Sequence, residues 1–216
     1  MKISSIGVFM GSQAGNDPHY VDAAKALGQR IAQNQSKLVF GAGKDGLMGV
    51  TARSAINAGG QVLGISPRNL AEEAVEPDEI TQLIEVDTMT ERKQLLMDYS
   101  DAFIVLPGGF GTLEEIAQVI SWSKINLHDK PLALFNVNGF YDTFWVWLNE
   151  IYKDGFVSEH DMKCIQIFDE IDDIFDYLEN FWDWEFMPSF VTKKSPYLIV
   201  GLFCAIFMKR EDDYWI

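Results

Sequence analysis

The segment TMTERKQLLMDYSDAFIVLPGGFGTLEE, residues 88–115, gathers charge around glycine. Arg92 and Lys93 stand near its start, Gly108, Gly109 and Gly111 interrupt it, and Thr112, Glu114 and Glu115 close it. Glycines let the backbone approach a ligand closely. A helix starting beyond them would present free N–H groups and its positive dipole end to an anion. Thr112 adds a hydroxyl, and the set suits a phosphomonoester. A plainer reading competes: TLEE has the form of a capping box, in which Glu115 satisfies the backbone N–H of Thr112. Arg92 and Lys93 are equally compatible with ordinary surface charge, yet an Arg–Glu pair over a phosphate cradle would use both charges.

Other chemistries find less support. The loop GAGKDG, residues 41–46, matches G-x-G-x-x-G, but a dinucleotide site needs an acid about 20 positions later for the ribose. After the next apolar run, QVLGIS, come Pro67, Arg68 and Asn69, and the first acid is Glu72. No Gly-Lys-Ser/Thr follows at the spacing of a P-loop. The three histidines, His19, His128 and His160, lack metal-ligand spacing, so no metal site is expected. GSQAG at 11–15 misplaces the serine of a nucleophile elbow.

These residues need a scaffold. The 216 residues suffice for one α/β domain with a short appendage. Apolar runs at 3–10, 37–40, 61–65, 83–86, 102–106, 131–135 and 165–168 read as strands. Helical patterns lie between or after them, at about 18–34, 47–58, 91–99, 113–126, 140–153, 159–164 and 170–181. Strands apolar throughout imply a parallel sheet covered on both faces. The expected fold is therefore α/β: a Rossmann-like, doubly wound, three-layer α/β/α sandwich in a single domain. In such sheets ligands bind beyond the carboxyl ends of the strands.

Composition narrows the partners. A net charge of −15 disfavours a nucleic-acid backbone or an anionic membrane. Cys164 and Cys204 read as reduced thiols of a cytoplasmic protein. The βα rhythm ends near Trp182, so 1–182 is read as the domain and 183–216 as a carboxyl-terminal tail. The tail holds YLIVGLFCAIFM, residues 197–208, too short to span a bilayer, which takes roughly 20 residues as a helix. It is read as a strand or helix that packs on the domain or on a partner subunit, with a membrane-surface anchor as the alternative. The aromatic residues Phe140, Tyr141, Phe144, Trp145 and Trp147 read mostly as core, with the remainder left for an interface.

PGGFGTLEE together with MTERK, at this separation, resembles the LOG (lonely guy) family of nucleoside 5′-monophosphate phosphoribohydrolases, often labelled lysine decarboxylase-like. The similarity continues through GVFMGSQAGNDPHY, LVFGAGKDGLMG, AGGQVLGISPRNL, INLHDKPLALFNVNGFYD and GFVSEH, covering about residues 3–180. It implies cleavage of the N-glycosidic bond of AMP or cytokinin riboside monophosphates, giving free base and ribose 5-phosphate without a cofactor. The resemblance places the catalytic pair on Arg92 and Glu115 and the substrate-binding positions on Gly11, Ser12, Lys93, Gly108, Gly109, Gly111 and Thr112. It also implies a homodimer. Thr90 stands where the family carries His, Ala42 where it carries Gly, and Ser121 where Thr is frequent. Two further readings remain open here: a non-catalytic nucleotide-binding module, and a lysine decarboxylase, which would require pyridoxal phosphate on a Schiff-base lysine.

Overall fold

The structure, a computed structural model, describes residues 3–182. The tail 183–216, with its apolar segment 197–208 and Cys204, lies outside the described residues. Seven strands form one sheet: β1 (Ser5–Phe9), β2 (Lys37–Phe40), β3 (Gln61–Pro67), β4 (Gln82–Val86), β5 (Ala102–Val105), β6 (Leu132–Phe135) and β7 (Ile165–Phe168). Their order is β4-β3-β2-β1-β5-β6-β7, and every pairing is parallel. The central strands explain their own apolarity. Ala102, Phe103, Ile104 and Val105 of β5 are fully buried because helices cover both faces.

The helices are α1 (Pro18–Gln33), α2 (Gly46–Asn57), α3 (Met89–Asp98), α4 (Phe110–Lys124), α5 (Asp142–Lys153), α6 (Glu159–Lys163) and α7 (Ile171–Asn180). On one face, Leu96 and Met97 of α3, Ile116 and Val119 of α4 and Leu148 of α5 share a cluster with Val39, Leu63, Phe103 and Leu134. On the other, Ala24, Leu27 and Ile31 of α1 are buried beside Ala52 and Ala55 of α2. There α7 meets α1: Arg30 pairs with Asp172 at 3.2 Å and lies 4.3 Å from the Phe175 ring centre. The result is the expected three-layer, Rossmann-like architecture.

Helix starts differ from the sequence reading, and the differences bear on the site. α3 begins at Met89, because the Thr88 side chain accepts from the Glu91 amide at 3.1 Å and caps it. α4 begins at Phe110, three residues earlier than read, with Gly109 as N-cap and no side-chain cap. Arg68–Glu73, outside every strand and helix read from the sequence, is a short 3-10 segment kinked at Leu70. Cys164 is a buried free thiol.

Candidate active site

The strand order fixes where a crevice opens. After β1 the chain turns to β2 on one side, and β5 lies on the other side of β1. That switch point separates the loops beyond the two carboxyl ends and makes room for a ligand. Register aligns Phe9 with Val105. Two residues on, the Gly11 amide donates to the Pro107 carbonyl at 3.0 Å. A Cβ on Gly108 would stand 2.1 Å from the Thr112 hydroxyl and 2.9 Å from the Gly11 amide nitrogen, so only glycine lets these two loops close together.

The start of α4 settles the competition raised by TLEE. With Gly109 as N-cap, Thr112 falls in the first turn, and it cannot cap the helix whose third residue it is. The capping-box reading of Thr112 and Glu115 is thus overturned; a capping box is formed instead at the start of α6, between Ser158 and Asp161. Because the first helical bond at this end runs from the Leu113 amide to the Gly109 carbonyl, the amides of Phe110, Gly111 and Thr112 have no acceptor within the helix. Unpaired amides at a helix N-terminus are the kind of group that can hold an anion.

Charged side chains close the crevice. Arg92, in the first turn of α3, donates through Nη2 to the Gly41 carbonyl at 3.0 Å, while its buried Nε has no partner among the described residues. An unmade hydrogen bond on a buried guanidinium is the kind of exception that functional sites carry. Burial lowers the Arg92 pKa, against the raising influence of Glu115 and Glu114. Lys93 forms its ion pair with Glu114, not with Glu115. No ion pair joins Arg92 to Glu115 within the described residues, so the expected direct pair is absent, although the two charges still feel each other. Glu115 is half-buried, and burial pushes its carboxyl up to about 7, with Arg92 and Lys93 pulling down and Glu114 pushing up.

The crevice has two lobes. The smaller, about 220 Å³, is lined by Ser12, Arg92, Lys93, Gly109, Gly111, Thr112 and Glu115, which unites seven of the nine sequence-expected residues. Gly11 and Gly108 lie behind it, holding the two loops together. The larger lobe, about 440 Å³, opens on the side of β2 and β3 and shares Ser12, Gly41, Met48 and Arg92 with the smaller.

Three contributors escaped the sequence reading. A Cβ on Gly41 would lie 1.8 Å from Arg92 Nη2, so this glycine is what seats the arginine. Tyr141, read as core or interface, is buried and donates its hydroxyl to the Leu106 carbonyl at 2.7 Å, pinning the base of the glycine loop. Burial and the nearby Glu115 charge raise its pKa, so the phenol keeps its proton. The third is the wall of the larger lobe, the 3-10 segment, which carries Leu70 and Glu73. Among the described residues, no group of three or more His, Cys, Asp and Glu side chains is disposed to hold a metal ion.

Comparison with known proteins places this crevice in context. The family model described as "Possible lysine decarboxylase" matches residues 48–178. The chain is 41% identical over 160 residues, 74% of its length and 75% of the relative's, to cytokinin riboside 5′-monophosphate phosphoribohydrolase LOG2 of Arabidopsis thaliana. It is 38% identical over 160 residues to the LOG enzyme of the same name from Oryza sativa subsp. japonica, covering 74% of this chain and 66% of that one. Among solved structures, the molybdenum cofactor binding protein of Rippkaea orientalis superimposes with a TM-score of 0.63 at 23% identity, over 83% of this chain and 98% of that one. At that identity the likeness speaks for the fold alone.

Proposed function

The chain belongs to the LOG family of cytokinin riboside 5′-monophosphate phosphoribohydrolases, and from that membership we propose that it hydrolyses the N-glycosidic bond of adenine-type nucleoside 5′-monophosphates, releasing base and ribose 5-phosphate. The observation that carries the reading is Glu115: a half-buried carboxylate, pushed up to about 7, in the same lobe as the unpaired amides of α4.

In this reading the phosphate rests on the amides of Phe110, Gly111 and Thr112 and on the Thr112 hydroxyl. Gly11, Gly108 and Gly109 shape the loops around it, Ser12 closes the rim, and Lys93 adds positive charge. The ribosyl carbon then faces Glu115. As the bond from that carbon to the base nitrogen breaks, positive charge builds on the sugar, and an ionised carboxylate stabilises it and orients the attacking water. Water supplies both the new C–O bond and, in net balance, the proton that ends on the departing base nitrogen. A carboxyl with a pKa near neutrality is matched to such a role. Arg92 lowers the Glu115 pKa and keeps enough of it ionised to act.

The decarboxylase description of the family model does not suit this lobe. A Schiff base needs an uncharged amine, and Lys93, the lysine that lines the lobe, is held in an ion pair with Glu114. No pyridoxal chemistry is therefore assigned to it.

The enzyme is further proposed to be a cytoplasmic homodimer. Among the described residues no helix is long and apolar enough to cross a membrane. Phe110 is 93% exposed and Leu113 48%, an apolar pair at the mouth of the crevice that a second subunit would cover. Incubation with AMP, followed by chromatography, tests the central reading. Adenine and ribose 5-phosphate are expected; adenosine with free phosphate, or uncleaved AMP, would refute it.

A further inference from the structure

The smaller lobe sets two cations against two carboxylates. Arg92 and Lys93 stand near the start of α3, Glu114 and Glu115 near the start of α4, and these are the charged side chains of its lining. Of the possible cross-pairs, the one that forms is Lys93 with Glu114. Among the described residues it is also the only side-chain hydrogen bond or salt bridge between the two helices. The Glu114 side chain is 58% exposed, and exposed ion pairs add little to stability. Its place beside the site therefore matters more than its energy.

The pair that does not form is Arg92 with Glu115. A guanidinium and a carboxylate brought together at a half-buried site are matched for a two-pronged, charge-assisted pair. Arg92 is held on its own side, where Nη2 donates to the Gly41 carbonyl at 3.0 Å and Nη1 to the Met89 sulfur at 3.7 Å. Lys93, whose charge also acts on Glu115, is engaged by the neighbouring carboxylate instead. Glu115 is left with no ion pair among the described residues.

Building on the function proposed above, we infer that Glu114 is a positioning residue: by engaging Lys93 it ties the start of α4 to the start of α3 and keeps Lys93 off Glu115, so that Glu115 meets the ribosyl carbon as a free carboxylate. A carboxylate already neutralised by an ammonium has less attraction to offer a sugar that is becoming positive. Glu114 acts through Lys93 and need not touch the substrate. The groups that bear on the charge of Glu115 are Arg92 and Lys93 on α3, Glu114 on its own helix, and the buried Tyr141 phenol just ahead of α5. Glu114 raises the Glu115 pKa directly, and holding Lys93 away works in the same direction. Without Glu114, the one carboxylate left to Lys93 in the lobe is Glu115.

The test is a double-mutant cycle of wild type, Glu114→Gln, Lys93→Met and the double variant. Each is labelled with 13C at the glutamate carboxyls, and the NMR midpoint of Glu115, assigned by its loss in Glu115→Gln, is followed with pH. Thermal melts establish that the variants fold. Glu114→Gln is expected to lower the midpoint by about one pH unit, as Lys93 turns to Glu115. Lys93→Met is expected to raise it little in the wild-type background and by about one pH unit in the Glu114→Gln background. Equal rises in the two backgrounds, or a midpoint that Glu114→Gln leaves in place or raises, overturn the hold on Lys93. With AMP, the plateau of kcat/KM is expected to fall about tenfold in Glu114→Gln, the rate equivalent of one pH unit; an unchanged plateau overturns the positioning role. If the wild-type protein releases no ribose 5-phosphate, the proposed function fails and the catalytic purpose of the spacing with it. The NMR cycle by itself then still upholds or overturns the hold on Lys93.

Discussion

With its carboxyl pushed up to about 7, Glu115 changes protonation near neutral pH. If the ionised form is the active one, kcat/KM rises as pH climbs through about 7 and levels off above it; a bell falling over that range would assign Glu115 the opposite role. Arg92 pulls this pKa down, so Arg92→Ala moves the rising limb to higher pH as well as lowering its plateau. Both effects are read from one pH–rate series on each protein. The same shift has a stability consequence. A carboxyl raised above its ordinary value of 4.5 favours the folded state when protonated, so stability is lost as pH rises from there through about 7. Glu115→Gln removes that loss, and its Tm should exceed that of the wild type at pH 8, as measured by calorimetry. If Glu115 has the catalytic role proposed for it, the same substitution stabilises the fold while ending activity.

At the scale of elements, the strands were legible because a parallel strand buried on both faces must be apolar throughout, and β5 with its four fully buried residues is the clearest case. The start of α4 was misread for a physical reason as well. Its N-cap is Gly109, which leaves no side-chain signal, while the Thr-x-x-Glu pattern three residues later imitates one. Arg92, Glu115 and the glycines stood out in the sequence. Gly41 and Tyr141 did not, since their parts depend on contacts with residues 51 and 35 positions away. Gly41→Ala drives a methyl into the Arg92 guanidinium; activity should fall at least tenfold with the sheet intact by circular dichroism. Tyr141→Phe leaves the Leu106 carbonyl without its partner, a loss of about 1–3 kcal/mol visible as a lower urea midpoint. Ala42 holds φ at 59°, where glycine is the easier residue. Relief of about 1 kcal/mol of strain against loss of a buried methyl worth about 0.8 kcal/mol makes Ala42→Gly nearly neutral in the same assay.

For the molecule as a whole, the sheet and the helices on its two faces fall within residues 3–182, and so does every residue proposed for the site. We propose that this portion is the catalytic domain: a chain ending at residue 182 should melt cooperatively and keep its turnover of AMP, and loss of either would assign the tail a part in the fold or the site. The charge of −15 makes the small pocket of amides, Arg92 and Lys93 an exception on an acidic molecule, which suits a small anion and not a polyanion. Whether this molecule cleaves a nucleotide or merely carries one turns on a single side chain. The most direct measurement is therefore ribose 5-phosphate release from AMP by Glu115→Gln, made beside calorimetric titration of AMP into the same variant. Release falling by roughly 100-fold or more with AMP binding retained is the predicted result; turnover at the wild-type rate would contradict it.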